Sequence, residues 1–127
     1  KECKLFLWDW SMIEDRGPRF ENFVASHLLK YCHFMEDYHG EKIELRFLRD
    51  TDKREIDFVL IKNKKPIMAI ECKTGERGIS PHIKYFKERT TIPCFYQVHL
   101  GKASYGNPPD GQVIPFSDFI TNVLWSK

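Results

Sequence analysis

Between Glu55 and Lys73 the chain reads EIDFVLIKNKKPIMAIECK, two runs of branched and apolar residues around a short polar turn. Two such runs joined by NKKP are the signature of a β-hairpin, and side chains on a strand alternate, so residues two apart share a face. On the second run Ile67, Ala69, Glu71 and Lys73 point one way and Met68, Ile70 and Cys72 the other. Both faces begin apolar, which marks a central strand covered on both sides. On the first run Asp57 is expected to share its face with Glu55, Val59 and Ile61, opposite a uniformly apolar side made of Ile56, Phe58 and Leu60.

The charges interrupt this pattern. In a paired hairpin Asp57 and Glu71 lie near the same end and, with matching register, on the same face. Two carboxylates held close in a partly buried place repel, and desolvation adds to the cost. A divalent cation is the simplest remedy, because hard ions such as Mg²⁺ take oxygen ligands, often one or two carboxylates with waters. Lys73, two residues past Glu71 on the same side, can hold a water or a phosphate oxygen against such an ion. Spacing alone equally allows Asp57 and Glu71 to be strand-end surface charges, with Lys73 neutralising one of them.

The rest of the chain supplies the layers around this hairpin. DRGPRFENFVASHLLKYCHFMEDYHG reads as a helix with Pro18 in its first turn and Gly40 beyond its end. Its apolar stripe is Phe20, Phe23, Val24, Leu28, Tyr31 and Met35, and Glu21 borders that stripe beside Ala25 and Leu28. Leu5 to Trp10 is a possible extended piece, and Ile43 to Arg49 reads as a strand. Asp50 to Lys53 forms a polar turn. Ser80 and Pro81 start a second helix, and Pro93 to Leu100 reads as a fourth hairpin-independent strand. The segment GKASYGNPPDG reads as a loop, and Ser117 as the cap of a short last helix. The order helix, three strands, helix, strand predicts an α/β sandwich with a central mixed sheet flanked by helices.

Glu21, Asp57 and Glu71-x-Lys73 together resemble the PD-(D/E)xK nuclease superfamily. The resemblance is nearer still to the C-terminal domain that follows an AAA+ ATPase module in many prokaryotic proteins. LFLWDWSMIEDRGPRFENFVASHLLK, LRFLRDTDKREIDFVLI and AIECK carry it, so it covers most of Leu5 to Lys73. Glu55-Ile56 stands where the motif's name has a proline before the Asp. The resemblance implies a restriction-endonuclease-like three-layer sandwich and Mg²⁺- or Mn²⁺-dependent hydrolysis of DNA. It implies metal ligation by Glu21, Asp57, Glu71 and the Cys72 carbonyl, with Lys73, Glu71 and Asp57 catalytic. Lys73 would take a proton from the attacking water or, in its charged form, stabilise the pentavalent transition state. Many nuclease-fold domains keep the carboxylates but serve as binding modules, which is the alternative function; a structural dimerisation module is a third. No phosphate loop of the Gly-x-x-x-x-Gly-Lys-[Ser/Thr] form occurs, so the implied ATPase belongs to another part of the polypeptide and the chain reads as a fragment.

Other residues carry weaker signals. Arg46, Arg49, Arg54, Lys62, Lys64 and Lys65 cluster around the hairpin. Arg49 and Arg54, together with Lys84 of SPHIKYFKER, are the candidate nucleic-acid contacts, against the ordinary reading of a solvated face. His82 and Tyr85 of the same segment, and His27, are expected to be structural, and Trp8 and Trp10 to pack the first segment on the core. At 127 residues the chain forms one domain, residues 1–127, able to bury roughly two-thirds of its unfolded surface. A net charge of +2 permits a polyanionic partner without requiring one. Cys3, Cys32, Cys72 and Cys94 are widely spaced, which speaks against zinc or a disulfide scaffold and for a reduced, cytoplasmic setting. No apolar run nears the ~18 residues of a membrane span. A homo-oligomer is compatible with all of this.

Overall fold

The computed structural model describes residues 5–9, 19–75 and 78–126. The expectations for Trp10, Pro18 and the Trp8 side chain fall outside the described residues. The elements in order are β1 (Leu5–Asp9), α1 (Arg19–His39), β2 (Ile43–Asp50), β3 (Glu55–Lys62), β4 (Lys65–Cys72), α2 (Pro81–Lys87), β5 (Phe95–His99), β6 (Tyr105–Asn107), β7 (Gly111–Pro115) and α3 (Phe116–Phe119), which runs on into a π-helical turn, Ile120–Leu124.

All the strands join one sheet of order β1-β2-β3-β4-β5-β7-β6. The first four form an antiparallel meander. From β4 onward the sense changes, since β4 is parallel to β5 and β5 to β7, with β6 antiparallel at the edge. The mixed sheet predicted from the order of elements is therefore present.

Each face buries its own cluster. On one side Phe20, Val24, Ala25 and Leu28 of α1, with Phe116 and Phe119 of α3, pack on Leu45, Phe58, Leu60, Ile70 and Val98. On the other, Ile83 and Phe86 of α2 pack on Ile56, Val59, Ile61, Ala69 and Phe95. Each large apolar side chain fully buried here contributes about 1.5–3 kcal/mol. The helix ends follow local chemistry. Gly40 at φ 65° closes α1, donating its amide to the Glu36 carbonyl. Ser80 caps α2, its hydroxyl accepting from the His82 amide. No helix among the described residues is long and apolar enough to cross a membrane.

Four details differ from the sequence reading. Phe23, assigned to the buried stripe of α1, is 51% exposed. Residues 101–111 are more than a loop: they contain β6, whose residues are all exposed, and the first residue of β7. Gly106, Pro108, Pro109 and Gly111 hide those short strands behind turn chemistry. Ser117 is not a cap, because α3 starts one residue earlier with Pro115 at the cap position and no side-chain capping bond. Finally, the alternation in β3 breaks. Arg46 faces Val59 but Leu48 faces Ile56, so β3 advances three residues where β2 advances two. This bulge puts both Asp57 and Phe58 opposite Phe47, and Ile56 joins Val59 and Ile61 on the α2 side while Phe58 and Leu60 face α1. The single uniform face of Ile56, Phe58 and Leu60 does not form.

Candidate functional site

The bulge is what makes the site. Asp57 lies one position beyond the last paired residues of the β3–β4 ladder, Phe58 opposite Ile70. Released from strict alternation, it sits between groups from both faces of the sheet. Its Oδ2 accepts from the Cys72 amide at 2.9 Å, and its own amide donates to Glu71 Oε1 at 3.1 Å. Glu21, in the first turn of α1, lies near enough to Asp57 for the two carboxyl groups to interact, and Glu71 does the same from β4. For either contact to attract, one of the two carboxyl groups must hold a proton. Lys73 completes the group, with Nζ 3.9 Å from Glu71 Oε2, its side chain about one-third exposed. Its amide donates to the Val98 carbonyl, which fixes the end of β4 to β5.

The electrostatics follow from this crowding. Burial, then the Asp57 charge, push the Glu71 carboxyl well above the usual carboxylate range, with Lys73 opposing. Glu21 moves the same way, again through burial first and Asp57 second. Glu21 and Glu71 thus hold protons at a pH where free carboxyls have lost them. The donor set of the cluster is all carboxylate oxygen, the chemistry that suits a hard divalent ion. Among the described residues, however, no group of three or more His, Cys, Asp or Glu side chains is arranged to hold a metal ion as it stands. Glu71 Oε1 and Asp57 Oδ2 are each engaged by a main-chain amide. Cys72 enters the site by its amide; Cys32, Cys72 and Cys94 are free thiols.

The predicted nucleic-acid contacts fare unevenly. Arg49 pairs with Glu55 at 3.1 Å. Arg54 is tied to Asp50 at 3.0 Å and Asp52 at 3.2 Å, and its guanidinium lies 4.2 Å from the centre of the Tyr85 ring. Arg89 covers the same ring at 3.9 Å. Both arginines of the sequence reading are thus engaged within the fold, while Lys84 stands exposed on α2. Asp50 is nearly inaccessible. Its burial would raise its pKa, but the neighbouring Tyr85 side chain and hydrogen bonds from the Arg54 amide and guanidinium and from the Asp52 amide outweigh that and hold it at about 2. His82 places Nδ1 3.1 Å from the Glu55 carbonyl, the structural role expected of it.

One residue of the site's surroundings escaped the sequence reading. Gln97 on β5 stands beside Glu71 in the β4–β5 register and is buried. Its Oε1 accepts from the Ser80 amide at 2.7 Å and its Nε2 donates to the Gly78 carbonyl at 3.0 Å. It therefore pins residues 78–80, the entry to α2. Within the strand PCFYQVHL a polar residue flanked by apolar ones was the only signal.

Fold and site together define a small α/β domain with an acidic cluster at the strand ends of a mixed sheet. The chain belongs to the family described as a domain of unknown function (DUF4143), which it matches over residues 16–119. No curated protein matches it, and no solved structure does.

Proposed function

We propose that this domain hydrolyses phosphodiester bonds of DNA with the aid of Mg²⁺ or Mn²⁺. In this reading it is a restriction-endonuclease-like sandwich of the PD-(D/E)xK kind, accessory to an AAA+ ATPase module of the same polypeptide. The observation that carries the reading is the meeting of Glu21, Asp57 and Glu71, drawn from α1, β3 and β4, beside the amine of Lys73. Like-charged groups drawn from three separate elements into a half-buried corner are costly to a fold, and such cost concentrates at functional sites. An ion held by Glu21, Asp57, Glu71 and the Cys72 carbonyl would neutralise the scissile phosphate and acidify a water. In this reading Lys73, partly exposed beside Glu71, would orient that water or meet a phosphate oxygen. Glu71 and Asp57 hold the main chain of β3 and β4 together around it.

The test is incubation of plasmid and of single-stranded DNA with the protein, with and without Mg²⁺ or Mn²⁺. Cleavage that requires the ion and falls by about 10²-fold or more in Lys73→Ala supports the reading, a loss of the size expected for a positioned proton-transfer group. Cleavage indifferent to Lys73→Ala removes it. The engagement of Asp57 and Glu71 by main-chain amides favours a second reading, a catalytically inactive nuclease-fold module that binds DNA or a protein. DNA binding in EDTA with no cleavage under any divalent ion selects that alternative.

A further inference from the structure

β4, β5 and β7 run parallel, so their carboxyl ends open on one side of the sheet. In open α/β sheets ligands bind in the crevice just beyond such ends. Here the crevice is a groove that starts at Thr74, the residue after Lys73, and runs along α1. Its first part, about 470 Å³, is lined by Thr74, Arg19, Phe20, Phe23 and Leu100. Its second, about 360 Å³, shares Phe23 and Leu100 and reaches His27, Phe116 and Ser117. Both volumes fall in the range of roughly 300–1,000 Å³ usual for ligand sites.

The walls are tied by specific contacts. His99, buried at the end of β5, accepts the Gly101 amide on Nδ1 at 2.8 Å, so its proton sits on Nε2, which donates to the Ala103 carbonyl at 2.8 Å. That double bond to the main chain holds Leu100 and Gly101 in place. On the opposite wall the Phe23 ring meets His27 at 4.7 Å and Phe116 at 5.5 Å, both edge-on. Phe23 is thereby held by two rings while half of it stays open to solvent. Arg19 lines the first part of the groove, and Lys73 directly precedes Thr74 of the same wall.

We propose that this groove is the base-binding subsite of a single-stranded nucleic acid, with one unstacked base on Phe23 and the adjoining phosphate between Arg19 and Lys73. The inference deepens the phosphodiesterase reading and rests on it for the identity of the chain bound. An aromatic platform beside cationic side chains recognises a π-face and a phosphate together, and it is sequence-tolerant because every base has a π-face. A base paired in a duplex keeps its faces stacked and cannot enter. The substrate is accordingly a single strand or an unpaired end.

The experiment is fluorescence anisotropy of a labelled oligothymidylate and of a duplex of equal length, titrated with the full chain in EDTA so that no cleavage intervenes. The single strand is expected to bind at least several-fold more tightly than the duplex. Phe23→Ala should weaken single-strand binding about tenfold, the loss expected for one base–aromatic stack, and leave the duplex unaffected. Phe23→Tyr, which keeps the platform, should bind like the parent. Phe23 is half exposed, so these substitutions leave the core intact, and a circular dichroism melt checks it. Equal affinity for the two forms, or an unchanged affinity in Phe23→Ala, overturns the proposal, as does an absence of binding. Phe23-dependent binding without cleavage in Mg²⁺ would uphold the groove and defeat hydrolysis. Cleavage of duplex indifferent to Phe23 would do the reverse.

Discussion

Glu71 carries a charge problem that a neutral isostere removes. Its carboxyl is buried against Asp57 and shifted upward by that burial and by the neighbouring charge. Glu71→Gln keeps the acceptor for the Asp57 amide but discards the ionisation. We expect the variant, without divalent ions, to melt about 2–6 °C higher at pH 7 than the parent, a gain of order 1 kcal/mol. A lower melting point would mean that the charged form contributes favourably and that the crowding is not strained. Asp50 presents the opposite case. Its carboxylate collects bonds from the Asp52 and Arg54 amides and from the Arg54 guanidinium in a nearly inaccessible spot. Asp50→Ala leaves those donors unmatched, and should cost about 2–4 kcal/mol in urea unfolding. A loss below about 1 kcal/mol would show that water replaces the carboxylate.

Between residues and the whole, the β3–β4 hairpin and residues 78–80 ahead of α2 flank the site. The hairpin turns through Asn63 and Lys64, both left-handed at φ 52° and 69°. Two-residue turns of this kind favour Asn followed by Gly, and lysine in the second place pays the Cβ strain. Lys64→Gly is therefore predicted to raise stability by about 0.5–1 kcal/mol, read from the urea midpoint; no gain would place the strain elsewhere. Gln97→Leu fills the same volume but abandons the Ser80 amide and the Gly78 carbonyl. It should destabilise by about 1–3 kcal/mol, and hydrogen exchange should quicken first in residues 78–80. Uniform quickening across the sheet would show that Gln97 is general core rather than an anchor for that segment.

For the molecule as a whole, the two kinds of carboxyl shift act on opposite sides of neutrality. The Asp50 pKa is depressed to about 2 from an ordinary 3.8, so its contribution is present above about 3.8 and is lost as pH falls toward 2. Glu21 and Glu71 are raised from an ordinary 4.5, so the folded state binds more protons than the unfolded above that value. Stability then falls as pH rises through the raised range. In EDTA the melting temperature should peak in mild acid, decline toward pH 8, and decline less in Glu71→Gln. A divalent ion that binds only the folded form should reverse the alkaline decline. At a hundred times its dissociation constant the stabilisation is about 2.7 kcal/mol, and calorimetry with Mg²⁺ or Mn²⁺ reads it directly. A flat profile with no response to either ion would defeat the metal-centre reading.

Much of this architecture is written locally. The alternation in EIDFVLIK and IMAIECK, the Asn-Lys turn, the Ser80-Pro81 start and the Gly40 stop each specify an element through contacts a few residues long. The chain order of those elements is enough to require a mixed sheet with helices, and Glu71 and Lys73 two apart on one strand are enough to share a side. What no local pattern contains is the count of residues across a strand pair. The extra residue in β3 against β2 is a property of two strands together, and it lies where Asp57 meets the Cys72 amide. The short strands after Leu100 take their strand character from pairing, since their own residues prefer turns. Gln97 and Phe23 likewise look ordinary in sequence: burial beside Glu71 makes the first an anchor, and the neighbouring rings of His27 and Phe116 leave the second half open at the groove.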